Sequence, residues 1–173
     1  MANMKYFVLE HDRRSPANGA NINFPDRMLQ GYSHAEEQEI VYAKQGSQIS
    51  PSSLIEHPIL LISEPLRKAI TRFIPNVGYK SIVVMDLEQQ SQFYYSWMDF
   101  LEIPCLMPER MEAENGRISK MVVEDVSEDA AIFQISYYRS RVLVARIDVA
   151  ECLLRTGLYS LNVRPIQLTR GDG

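Results

Sequence analysis

Apolar positions along the chain recur at two spacings, and each spacing predicts a different element. Residues 4–10, MKYFVLE, are apolar, aromatic and β-branched and predict a first strand, ended by HDRRSPANG. Residues 11–58 hold four prolines and few large apolar side chains, so they read as loop-rich. Within them, Ser33 and Glu36 have the spacing of a capping box and Gly46 sits where a helix would stop, which predicts a helix over 34–45 with a thin apolar face of Ala35, Ile40 and Val41. Residues 59–62 read as a short buried strand. Ser63 follows as a helix cap with Pro65 in the first turn, and Leu66, Ala69, Ile70 and Phe73 make one helical face. Arg67, Lys68 and Arg72 lie off that face. Residues 80–87, KSIVVMDL, carry apolar side chains on both faces and read as a central strand.

The stretch QFYYSWMDF places five aromatics in nine residues. As a strand it puts Phe93, Tyr95 and Trp97 on one face and Tyr94, Met98 and Phe100 on the other. A stacking platform for bases sets aromatics on one face among basic residues, whereas the near charges here are Glu88, Asp99 and Glu102. The cluster therefore reads as core, with Tyr94 or Tyr95 the ring available to an interface. Beyond it, Asn115-Gly116 marks a turn before a strand. AIFQISYY and RVLVARI form a hairpin, Asp148 and Glu151 suggest a capping box, and Gly157 stops the helix. The last strand carries Pro165, which cannot donate to a ladder, so an edge position is expected. Strand, capped helix and strand occur twice. The expected fold is α+β in one domain over 1–173, a mostly antiparallel sheet with two or three short helices packed on it and a core over 59–168.

Composition narrows the function classes. A chain of 173 residues buries enough surface to fold without staples. No apolar run reaches 18 residues and the first residues lack signal-peptide order, so a cytoplasmic protein without membrane association is expected. Cys105 and Cys152 read as small buried apolar residues rather than a disulfide. Net charge is −4, unevenly spread: residues 99–129 carry nine acids against three bases, while 130–173 carry six arginines against three acids. No basic stripe is interleaved with aromatics, which argues against nucleic-acid binding.

His11, His34 and His57 share no metal-ligand spacing with each other or with a cysteine, although His34 and Glu37 stand three apart; no metal and no cofactor is expected. No G-x-S-x-G elbow or phosphate-cradling glycine loop exists. Acid pairs such as Glu112 with Glu114, or Glu128 with Asp129, lie beside turn residues and read as solvated charge. No catalytic residue is assigned, and the chain is expected not to be an enzyme.

Four stretches taken in order, MKYFVLE, HPILLISEPLRKAITRF, FYYSWMDFLEIPCL and DVAECLLRTGLYSLNVRPIQL, resemble a family of bacterial immunity proteins encoded beside polymorphic toxins. The family features fall on Ser63 as helix cap, Tyr94 and Tyr95 in a Tyr-rich strand, Cys105, and Thr156 with Gly157. The cysteine stretch here, LEIPCL, is less acidic than the family pattern. The resemblance implies an α+β domain that binds and inhibits a cognate toxin protein without catalysis. An acidic surface from Glu109, Glu112, Glu114, Asp125, Glu128 and Asp129, with Tyr94, is the expected partner-binding site, because it would suit a toxin's basic groove. Two alternatives stand beside it: a small enzyme with a carboxylate or Cys site, and an assembly component of a phage or secretion element.

Overall fold

The computed structural model describes residues 5–171. In chain order its elements are β1 (Tyr6–His11), β2 (Ile22–Asn23), α1 (Asp26–Leu29), β3 (Gln38–Ala43), β4 (Leu54–Ile55), β5 (Leu61–Ser63) and α2 (Glu64–Thr71). These are followed by β6 (Tyr79–Asp86), β7 (Ser91–Met98), β8 (Glu102–Leu106), β9 (Glu112–Glu114) and β10 (Arg117–Val123). The last are β11 (Ile132–Tyr137), β12 (Ser140–Arg146), α3 (Ile147–Thr156) and β13 (Leu161–Arg170). Chain contacts gather into two compact units: Met1–Glu10 with Phe100–Gly157 and Asn162–Gly173, and His11–Asp99 with Leu158–Leu161. The α+β class holds, with strand predominant. The sheets are mixed rather than mostly antiparallel, because β3–β6, β8–β11 and β10–β13 all pair in parallel.

In the first unit, β13 neighbours both β1 and β10, so the order β13-β1-β12-β11-β8-β10 returns on itself. β8 and β9 share the other side of β10, at Val122 and Val123 for β8 and from Arg117 to Lys120 for β9. A closed ring leaves no long exposed edge, which is the usual hazard of a β-rich chain. Its interior is apolar: Phe133, Ile135, Met121 and Val144 are wholly buried, and Tyr6 meets Phe133 edge-on at 5.7 Å between centroids. The β9–β10 turn has Asn115 and Gly116 both at positive φ (54° and 75°), the pairing a tight hairpin demands. Pro165 does not make β13 an edge strand. The parallel ladder with β10 begins at Gln167, past the proline, so the missing donor costs no bond there. α3 starts at Ile147 with Arg146 at its cap, so Asp148 lies within the first turn and no capping box with Glu151 forms. Asp148 instead takes two bonds from Arg146, each 2.7 Å. Gly157, at φ 61°, ends the helix as expected.

The second unit is built on a sheet of order β2-β3-β6-β7-β5-β4. The stretch expected as a helix over 34–45 is instead a 3-10 turn, Tyr32–His34, and the strand β3. Period two wins over the capping-box spacing here. Glu39 and Val41 point inward, Ile40 and Tyr42 outward, and the run is β-branched and aromatic. A helix would have buried only three small or middling apolar residues, whereas β3 gains a parallel ladder with β6 from Gln38 to Tyr42. Three ionic groups point inward here, and two are fully satisfied; the third, Asp86, accepts from the Gln89 N–H at 3.1 Å through one oxygen while its Oδ2 has no partner among the described residues. The buried Glu39 carboxylate accepts both forks of Arg27 (2.5–3.1 Å), and the buried Lys80 amine donates to the carbonyls of Tyr32 and Ala35 at 2.5 and 2.7 Å. Arg27, as the nearest cause, holds the Glu39 carboxyl below its usual range. The aromatic stretch is largely core, as expected: Tyr95 and Trp97 are buried here and Tyr32 meets Trp97 edge-on, while Phe100 is buried in the first unit. α2 is capped as expected by the Ser63 hydroxyl, which accepts from the Leu66 N–H at 3.4 Å, and it buries Leu66, Ala69 and Ile70.

Candidate interaction surface

The geometry of the second unit's sheet sorts its side chains by face. Residues paired across neighbouring strands share a face, so the register Ile40–Val83–Tyr94 makes one transverse row and Tyr42–Met85–Gln92 the next. α2 packs against β5 and β7, over the half of this outer face that carries Ile62, Ser96 and Met98, all of which are buried. The other half lacks such a cover among the described residues. Ile40 is 49% exposed, Tyr42 45% and Tyr94 55%, with Val83 and Met85 half-buried between them. Tyr79 lies on the same face and carries the Arg67 guanidinium 4.3 Å from its ring centre. Every side chain in the two rows is uncharged. Tyr94 is fixed by its hydroxyl, which donates to the Gln92 side chain at 2.9 Å.

The sequence-selected acids lie in the first unit and fall into two groups. Glu112 and Glu114 project from β9, opposite Lys120 and Arg117. Asp125, Glu128 and Asp129 follow the end of β10 at Val123, beyond the Arg117–Lys120 stretch that β9 pairs with. Asp125 pairs with Arg170 at 2.6 Å, and Arg146 donates to the Glu128 carbonyl at 2.6 Å. Glu109 lies in the 3-10 turn Pro108–Arg110 and is exposed. Basic side chains therefore stand beside several of these acids, which lowers the field that a run of nine acids suggests. Tyr94 belongs to the second unit. The apolar residues Ile40 and Tyr42 escaped sequence reasoning because they were assigned to a helix. The period-two alternation of QEIVYA was the available signal.

The groups with chemical potential are mostly engaged. Burial pushes the Cys105 thiol up, consistent with an inert core cysteine. Cys152, expected to be buried, is only half-buried on α3. Burial likewise raises Tyr95, whose hydroxyl lies 3.0 Å from that of Ser52 and donates to the Ser52 carbonyl. Half-buried Asp12 is held at about 2 by the Arg14 guanidinium beside it. Among the described residues no three His, Cys, Asp or Glu side chains converge as a metal site, and no helix is long and apolar enough to cross a membrane. A comparison with protein-family models finds no match, and no curated protein matches the sequence.

Proposed function

We propose that this chain is a binding protein that inhibits a bacterial toxin, and that the outer face of the second unit's sheet is its contact surface. The observation that carries the reading is the pair of uncharged rows, Ile40–Val83–Tyr94 and Tyr42–Met85–Gln92, left open on a sheet whose other half is covered by a helix. A contiguous exposed apolar face of this kind is costly unless something binds it, and its aromatic content suits a protein partner. The toxin as partner follows from the sequence resemblance. The acids on β9 and after β10 then speed encounter with a basic toxin through long-range attraction.

The test is co-expression with the product of the neighbouring gene, which the resemblance implies is a secreted toxin. The expected result is rescued growth and co-purification of the two products, lost in Ile40→Asp and Tyr94→Asp variants that keep the wild-type circular dichroism spectrum. Failure to rescue sinks the toxin reading. Rescue that both variants retain sinks the assignment of the surface. Reversing Glu112 and Glu114 should slow association and leave dissociation nearly unchanged.

A further inference from the structure

Strand β7 has two neighbours of unequal length. β6 pairs with it along its whole course, from Ser91 to Met98. β5 pairs only at Ser96 and Tyr95, because the chain turns into α2 directly after Ser63. Continued as a strand, β5 would have set Glu64 opposite Tyr94 and Pro65 opposite Phe93. Instead residues 91–94 have, among the described residues, no strand partner on the side away from β6. A cavity of about 320 Å³ occupies that place. Its walls are α2's first turn, the segment of Pro51 to Ser53, Leu158 and Tyr159, and β7 itself. Successive residues of β7 line it although they point to opposite faces: Tyr94 outward, Phe93 and Tyr95 inward. Side chains from both faces of one strand can border a single cavity only where the cavity runs along the strand's edge.

We propose that this cleft binds an extended peptide carrying a basic side chain, the peptide continuing the sheet in the place β5 leaves. The free edge supplies alternate N–H and C=O groups, which only another extended main chain can pair in sequence. The charge of the lining selects the side chain. Glu64 is the one charged residue there, and its partner Lys68 is an exposed i,i+4 pair at 3.1 Å that a ligand can displace. The positive end of α2 is already offset by Glu64 and by the Ser63 cap, and Pro65 brings no N–H, so the carboxylate dominates the local field. Tyr159 is 68% exposed and Tyr94 55%, offering ring faces to a cation. The inference does not rest on the toxin reading.

The experiment is selection of a displayed library of random ten-residue peptides against the intact chain, followed by titration of a synthesised winner. Enrichment of Arg or Lys at one position is expected, and acidic or unselective winners overturn the proposal, as does a selection that enriches nothing over a blank surface. Tyr94→Ala and Tyr159→Ala should each weaken the winner by about 2–5-fold, as exposed cation–π contacts do. Glu64→Gln should lower the preference for the basic peptide over its norleucine counterpart, and an unchanged preference refutes the charge assignment. N-methylation along the peptide distinguishes a strand from a side-chain ligand. A loss of about tenfold or more at every second residue is expected. Uniform tolerance, or equal binding of N-acetylarginine amide, overturns the added strand. Ile40→Asp, which lies on the open face and not in the cleft, should leave this binding intact, so the cleft and the toxin surface fail separately.

Discussion

Gly19 offers a sharp test of how tightly the second unit is packed. A Cβ built on it would stand 1.7 Å from the His57 carbonyl oxygen and 2.8 Å from its carbon. That is 1.3 Å short of the 3.0 Å below which real Cβ contacts essentially never fall, and the obstacle is backbone rather than a side-chain tip. Either the 3-10 turn Gly19–Asn21 or the chain at His57 must move. Overpacking of this kind costs about 1–3 kcal/mol, occasionally more, and the backbone obstacle places Gly19→Ala at the upper end. Gly78→Ala is the matched control: its nearest atom is the Tyr32 hydroxyl at 3.7 Å, so the outcome lies between no change and a gain of up to about 1 kcal/mol from the unfolded chain. Trp97, the single tryptophan, belongs to the second unit's core and reports its unfolding in urea and heat. The Gly19 variant should melt about 6–12 °C lower for a loss of 3 kcal/mol. If both variants unfold alike, the close approach at Gly19 is not a determinant of this fold.

Three further outcomes follow from the ionic and thiol groups. Glu39, with its carboxyl held down in the folded state, contributes stability that is present above the ordinary carboxylate range and is lost as pH falls through its folded value. Arg27→Met should therefore flatten the acid limb of a stability-versus-pH curve measured by Trp97 fluorescence, and an unchanged limb refutes the pairing. In an NMR titration Asp12 should ionise at about 2 and move up toward the usual range in Arg14→Ala. Iodoacetamide at mildly alkaline pH should label Cys152 before Cys105, since burial shields the Cys105 thiol and disfavours its thiolate; mass mapping that finds Cys105 labelled first overturns that assignment.

Local chemistry was legible wherever one element decided it alone. The Ser63 cap, the Gly157 stop, the Asn115-Gly116 turn and the Ile132–Tyr137 hairpin partner all follow from residue type and spacing. Residues 34–45 were misread because the spacing of Ser33 and Glu36 mimics a cap, while the deciding partners, Arg27 and Lys80, lie 12 and 45 residues from the groups they bind. Pro165 suggested an edge because sequence does not reveal that the ladder starts two residues later. The acids were legible as a run but not as a surface: folding sets Glu112 and Glu114 on β9, the others before it or beyond β10, and Arg170 and Arg146 among them. The open rows on β3, β6 and β7 exist only through strand register, which short-range pattern does not encode.

The ring of the first unit joins the earliest described strand to the latest, since β13 lies between β1 and β10. During synthesis, then, β1 must wait unpaired on that side until the final strand clears the ribosome, while the ladders joining β2 through β7 in the second unit are already complete. Deleting Leu161–Arg170 would strip a stave from the wall rather than trim a tail. A fusion placed after them has to leave those residues free to slot home.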